Sequence, residues 1–253
     1  MSRKLLCISG VSFLLVVPTL NAASAADMAT KAPPPVAPAC TWCGFYIGAE
    51  AGVAWGTVHA ADLDYLNPLS STGVPNAPYS FSTRAAGIGS GEIGYNWQVG
   101  QFVYGLEANL GAIGFNATAP EPSSFSAGFG RFITTSHIGG GLYGDVTARA
   151  GVTVGSALLY AKDGYAAYDG RANVDNTGAF GGGTDTAPAF SGGWTAGGGV
   201  EYMFAPNWSA KIEYLHFGFG TETATLVTPA NGNFAFANRL TADTVQIGFN
   251  HYH

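Results

Sequence analysis

Charge is what this chain most lacks. Asp, Glu, Lys and Arg make up 10% of its 253 residues, against about 25% in ordinary soluble domains. A water-soluble protein this poor in charge has little with which to cover its surface, whereas one whose outer face meets lipid needs no such cover. Basic residues are scarcer than acidic ones, 10 against 16. That balance excludes nucleic acid as a partner, because such binding rests on Lys and Arg neutralising phosphates. Beyond the N-terminal segment there is no run of eighteen apolar residues, which excludes a transmembrane helix. Three cysteines and five histidines include no His pair spaced to complete a zinc site.

The N-terminal segment holds the chain's longest apolar run. Arg3 and Lys4 precede a mostly apolar stretch over 5–20, and "NAASAAD" offers small residues for cleavage after Ala25 or Ala26. The stretch is about sixteen residues and contains Pro18, short of the roughly twenty that a spanning helix needs. Residues 1–26 therefore read as a secretory signal peptide, which takes Cys7 with it. Residues 27–43 are Pro-rich and read as an extended periplasmic lead-in. Cys40 and Cys43 share the C-x-x-C spacing of redox sites, but no βαβ context surrounds them. In an oxidising compartment a local disulfide is the expected state.

What the chain has in abundance is glycine and aromatic residues: 37 Gly, 16 Phe, 12 Tyr and 5 Trp. From Gly44 these fall into eight alternating segments, at 44–56, 86–98, 102–114, 141–155, 157–168, 193–204, 208–219 and 239–252. Each is long enough to cross a bilayer as a tilted strand. The connections alternate in length. Val99–Gln101, Ser156 and Ala205–Asn207 are short breaks, and the other four run about 18 to 29 polar residues. Short turns on one rim and long loops on the other are the topology of outer-membrane barrels. The expected fold is all-β: an eight-stranded antiparallel transmembrane β-barrel over 44–253, with short periplasmic turns and long extracellular loops.

The stretch "PNWSAKIEYLHFGFG" sets out the facing problem. Trp208, Ala210, Ile212 and Tyr214 share one face, and Ser209, Lys211 and Glu213 share the other. In a membrane barrel the apolar set faces lipid and the polar set faces the lumen. Applied to every segment, this parity sends Glu50, Glu92, Glu107, Asp145, Arg149, Glu201, Lys211 and Glu213 inward as candidates for ion pairing. Eight strands leave an interior just wide enough for side chains, so the lumen reads as a packed polar core, with at most a narrow pore. Lys162 and Asp163 are adjacent, so strict alternation points one of them at lipid unless a bulge or a rim position intervenes. Leu215 breaks the alternation in the seventh segment. Aromatics gather at segment ends: Phe45, Tyr95, Trp97, Phe102, Tyr104, Tyr202, Phe204, Trp208 and Phe249 at the short-turn rim, and Trp55, Phe115, Trp194, Phe217 and Phe219 at the other. Such rings form interfacial girdles.

"APPPVAPACTWCGFYIGAEAGVAWG", "GSGEIGYNWQVGQFVYGLEAN", "VEYMFAPNWSAKIEYLHFGFG" and "TVQIGFN" together resemble the small porin-like outer-membrane proteins of alphaproteobacteria. These are eight-stranded barrels, often described as surface antigens. The resemblance implies an outer-membrane location and a structural or surface role, with no defined reaction and no cofactor. Outer-membrane lipid and lipopolysaccharide are the expected partners, with the barrel-assembly machinery during insertion. Oligomeric state is left open. Two departures stand out. Cys40 and Cys43 replace residues that are usually polar, and the chain ends in "NHYH" where the family has a terminal aromatic. His251 and His253 there imply a weaker assembly signal. Two alternatives follow from the histidines: a surface ligand receptor, for haemin for instance, with His59, His137 or His216 as axial ligand, and a small-barrel lipid hydrolase needing a His beside a Ser with an acid to orient it. Ser136 and His137 are adjacent in sequence, which in a strand sends them to opposite faces. "NAT" at 116–118 and "NWS" at 207–209 match a glycosylation sequon without a context that gives it weight. "GSGEIG" lacks the following helix of a phosphate loop.

Overall fold

The computed structural model describes residues 40–62, 78–120, 133–170, 172–177, 183–187, 192–228 and 232–253. The signal peptide, and the lead-in as far as residue 39, lie outside them. Every regular element among the described residues is a β-strand. In chain order these are β1 (Gly44–Asp62), β2 (Pro78–Ser82), β3 (Ala86–Val99), β4 (Phe102–Ile113), β5 (Ala117–Pro120), β6 (Ile133–Ile138) and β7 (Gly141–Val154). There follow β8 (Ala157–Tyr168), β9 (Ala172–Thr177), β10 (Gly183–Ala187), β11 (Gly193–Ala205), β12 (Trp208–Thr228) and β13 (Gly232–Tyr252).

Eight of them, β1, β3, β4, β7, β8, β11, β12 and β13, pair in a ring of antiparallel neighbours. The ring closes where β13 returns to β1, from Tyr46 opposite Tyr252 to Asp62 opposite Phe236. Closure is what makes a sheet tolerable in hydrocarbon, where an open edge would leave backbone groups without partners. Three two-residue loops join strands at one rim: Gly100–Gln101, Gly155–Ser156 and Pro206–Asn207. Gly100 and Gly155 have φ of 63° and 60° at the first loop position, the requirement of a type II′ hairpin. Asn207 has φ 64° at the second position after Pro206, as a type II turn demands.

One row of cross-strand partners measures the barrel. It runs Phe45, Tyr95, Leu106, Ala148, Asp163, Ala196, His216, Asp243 and then Trp55. One circuit thus arrives back on β1 ten residues further along than it began. With about 3.3 Å of rise per residue and a tilt of about 40°, those ten residues climb about 25 Å. Phe45 belongs to the aromatic ring at the short-turn rim and Trp55 to the one above, and the climb matches the apolar band of an outer-membrane barrel, about 25 Å tall.

The structure corrects or completes the sequence reading in four places. The long connections carry strands of their own: β2 pairs antiparallel with the outer part of β1, and β5, β6, β9 and β10 form a separate four-stranded sheet. β12 and β13 also run well past the expected segment ends. Outside the bilayer a strand needs no apolar face, so alternation gave no sign of these. Phe115, Phe217 and Phe219 do not join a girdle but point inward and are buried, whereas Trp55 and Trp194 do face out. Leu215 is inward and buried in unbroken register with Gly197 and Thr244; it marks a change in what fills the lumen, not in the strand. Finally, Lys162 faces in and Asp163 faces out, with no bulge in the pairing of β8 on either side.

The interior is therefore layered. Toward the long loops lies an apolar layer that includes Val58, Ile113, Tyr143, Tyr168, Phe217 and Phe219. The charged residues occupy the middle. Below them Trp42, Tyr46, Val103, Leu158, Tyr160 and Tyr252 close the short-turn end. Trp42 belongs to the expected lead-in, yet it is buried and set edge-on to Tyr252 with centroids 5.8 Å apart. Inward glycines make room for the larger side chains. A Cβ on Gly94 would stand 2.2 Å from the Tyr46 ring. Gly94→Val should accordingly lower unfolding free energy by about 1–3 kcal/mol through overpacking, read by urea titration in lipid vesicles; an unchanged midpoint would contradict this packing.

Candidate functional site: the charged lumen

Strand alternation places one charged side chain after another on the inner wall, and the register brings them to similar depth. Glu50, Glu92, Glu107, Asp145, Arg149, Glu201, Lys211 and Glu213, the inward set read from parity, are all buried inside the barrel, and Lys162 joins them. Nothing in the parity of β8 alone could choose between Lys162 and Asp163. The partners across the lumen decide it.

Glu107 is the hub. Its Oε1 accepts from Lys162 Nζ at 2.5 Å and from Asn109 Nδ2 at 3.1 Å. Its Oε2 accepts from the Tyr46 hydroxyl at 2.6 Å and lies 3.5 Å from Arg149 Nη1. Lys162 also reaches Glu213 at 2.8 Å. Lys211 lies 2.5 Å from Glu92 and 2.9 Å from Glu50. Arg149 is held on every side. It donates to Glu201 at 3.1 Å, to Asn96 at 2.9 Å and to the Tyr252 hydroxyl at 3.2 Å. Its guanidinium carbon lies 4.9 Å and 5.1 Å from the ring centroids of Tyr46 and Tyr160. Glu201 in turn accepts from Ser209, Asn250 and Tyr252. Asp145 stands at the edge of the network, where Asn109 donates to it at 3.0 Å.

Sequence reasoning passed over the neutral members Tyr46, Asn96, Asn109, Tyr160 and Tyr252. Tyr46, Asn96 and Asn109 share the inward parity of charged residues on their own strands, so the signal was present but carried no charge to attract attention, whereas Tyr160 shares the parity of Lys162, which β8 alone left open. Tyr252 shows why the chain end matters: it turns inward to Arg149 and Glu201, leaving His251 on the outer wall beside Trp208 with ring centroids 4.6 Å apart.

Glu50, Glu92 and Glu107 bring carboxylate oxygens within 4.8 Å of one another, close enough to hold a metal ion. The ammonium of Lys211 already lies within hydrogen-bonding distance of two of them and is the cation of that triangle. Cys40 and Cys43 are bridged, with Cα atoms 5.6 Å apart, at the short-turn end. Neither His59 nor His216 enters the lumen. His59 pairs with Ser80 at 2.8 Å, His137 with Thr118 at 2.9 Å and His216 with Asp243 at 2.8 Å.

A closed ring of eight antiparallel strands, an apolar outer wall about 25 Å tall and a charged inner wall set the chain beside known proteins of the outer membrane. A family model described as outer membrane protein beta-barrel domain matches residues 12–251. The chain belongs to that family. It is 30% identical over 246 residues to the 31 kDa outer-membrane immunogenic protein of Brucella melitensis biotype 1, covering 91% of this chain and 93% of that one. It is 29% identical over 182 residues to the 22 kDa outer membrane protein of Rhizobium leguminosarum bv. viciae, covering 72% of this chain and 66% of that one. Among solved structures the outer membrane protease OmpT of Escherichia coli aligns with a TM-score of 0.50 at 10% identity, covering 84% of this chain and 98% of that one; a likeness at that identity concerns the fold. This family member is therefore an outer-membrane β-barrel protein, with its short turns in the periplasm and its long loops outside the cell.

Breaking a buried ion pair by removing one partner costs more than the pair contributes, because the other charge is left stranded. Glu107→Leu should destabilise the barrel by about 3–5 kcal/mol, and Glu107→Leu combined with Lys162→Met should recover part of that loss. Guanidinium unfolding in vesicles measures these and Lys162→Met alone, and a double variant whose loss equals the sum of the two single losses would show that Glu107 and Lys162 are not coupled.

Proposed function

We propose that the protein is a structural surface component of the outer membrane, without enzymatic activity and without an open channel. The observation that carries this reading is the filled lumen. An apolar layer, a charged layer and an aromatic layer are stacked along one bore, and an interior of eight strands has little room left once side chains occupy it. Such a barrel serves as a rigid rivet in the bilayer and as a platform for its loops. Against the hydrolase alternative, His59 pairs with Ser80 and His216 with Asp243, but among the described residues no histidine ring has both a serine hydroxyl and an orienting carboxylate as partners. Against the receptor alternative, each histidine named for it already has a partner, His59 in Ser80, His137 in Thr118 and His216 in Asp243.

Lipopolysaccharide is the partner that the outer wall favours. Among the described residues, five Lys and Arg side chains occur. Arg149, Lys162 and Lys211 are inside, and Arg84 and Arg239 are exposed toward the long-loop rim. Arg239 sits opposite His59 on β1, four residues beyond Trp55 and so above the upper aromatic ring. Cations at that level meet the phosphate groups of the outer leaflet. During insertion, the outward His251 beside Trp208 is the part of the chain end offered to the assembly machinery.

Purified protein in planar bilayers should give no steady porin-like conductance steps, and the small leak that remains should favour cations, because six carboxyls face three cations in the bore. Large regular steps from the monomer would overturn the closed-lumen reading. Arg84→Glu with Arg239→Glu should reduce the lipopolysaccharide that copurifies with the folded barrel while leaving its heat-modifiable gel mobility intact. Unchanged lipopolysaccharide content would remove these residues from the contact.

A further inference from the structure

Between the two aromatic rings the lipid-facing wall carries two acidic side chains among the described residues. Asp243 is satisfied, accepting from the Tyr214 hydroxyl at 2.6 Å and pairing with His216 at 2.8 Å. Asp163 is exposed and has no hydrogen bond or ion pair among the described residues. Its position is forced, because Lys162 must face inward to reach Glu107 and Glu213. No bulge swings it toward a rim. In the row from Phe45 to Trp55 it is the fourth of eight steps, about 12 Å up a band about 25 Å tall. The carboxyl therefore stands at mid-bilayer, where hydrocarbon offers neither donor nor acceptor and an unpaired polar group is costly.

The wall around it is recessed. Ala148 and Ala196 flank Asp163 in its row, and Ala150, Ala161 and Gly198 make up the row below. Bulkier exposed side chains frame these two rows: Val146, Tyr165 and Trp194 above, Val152, Leu159 and Val200 below.

We infer that this depression is where a second copy of the chain packs, with the two Asp163 carboxyls hydrogen-bonded to each other across a two-fold axis along the membrane normal. Copies inserted in the same orientation share the same depth, so around such an axis each residue lies level with its own counterpart, and the contact is self-complementary. Each carboxyl donates its O–H to the other's carbonyl, which leaves no net charge in the hydrocarbon. Small residues let two walls approach closely, as they do between membrane helices. A basic residue of a different protein would also satisfy one carboxyl, but only if it happened to carry its donor at this depth.

The test is disulfide cross-linking in intact outer membranes. Ala161→Cys, one row below Asp163 on the same face, leaves the carboxyl in place and should give a band at twice the monomer mass under mild oxidation. It should exceed by roughly tenfold the band from Ile247→Cys, which lies at similar depth three strands away and meets its counterpart only by random collision. If Ala161→Cys fails to assemble, Ala150→Cys, beside it in the same row, carries the same expectation. Adding Asp163→Leu to Ala161→Cys should cut its cross-linking severalfold without loss of folded monomer. Cross-linking no stronger than at Ile247, or a cross-linked band of unrelated mass, overturns the proposal.

Discussion

The Glu107 carboxylate sits among Lys162, Arg149 and the Tyr46 hydroxyl in an interior too narrow for bulk water. Much of the barrel follows from that constraint. A charge placed there without partners would cost far more than the fold's margin of stability. Cations from β7 and β8 therefore converge on an anion from β4, and each cation is shared with a further carboxylate from β11 or β12. The network ties strands that are not neighbours in the sheet. Arg149 on β7 reaches Tyr252 on β13 across the bore. The wall is held by backbone ladders and the bore by side chains, so the cylinder is braced in two directions.

The same constraint explains the layering. Charges need opposite charges at the same depth, and three cations can satisfy only a limited zone. Above it Val58, Phe217 and Phe219 fill the bore with apolar surface, and below it Trp42, Tyr46 and Tyr252 do so with aromatic rings, the two tyrosine hydroxyls still reaching the network. Glycine on the inner wall is the counterpart of these large side chains. A Cβ on Gly105 would stand 2.2 Å from Asn96 Oδ1 and 3.1 Å from Arg149 Cγ, so the residue is small because its neighbours are large. Lys162 belongs to the same logic. Its inward position is fixed by Glu107 and Glu213, and Asp163 is consequently turned to the lipid.

Much of this was legible beforehand. Period-two alternation, the contrast of short and long connections and the aromatics near Trp97 and Trp208 gave the number of barrel strands, their order and the facing of Glu107, Arg149, Lys211 and Glu213. What escaped did so for identifiable reasons. β5, β6, β9 and β10 lie beyond the bilayer, where neither face of a strand has to be apolar, so they carry no alternation. Phe115, Phe217 and Phe219 look like girdle residues because an aromatic near a strand end fits either face; only the register decides which. Trp42 reads as part of a Pro-rich lead-in, and its burial depends on Tyr252, which arrives from the far end of the chain.

By itself the sequence determined a closed, lipid-facing sheet: the sparse charge, the alternation and the missing long apolar helix leave no other way to satisfy the backbone in a membrane. It also determined which residues share a face, because side-chain direction in a strand is local. Tertiary structure alone decided which residues meet. Depth in the bore depends on the ten-residue stagger accumulated around eight strands, a property of no single segment. That stagger sets Phe45 level with the short-turn rim and Trp55 level with the other, brings Lys162 to Glu107, and leaves Asp163 halfway between the two aromatic rings.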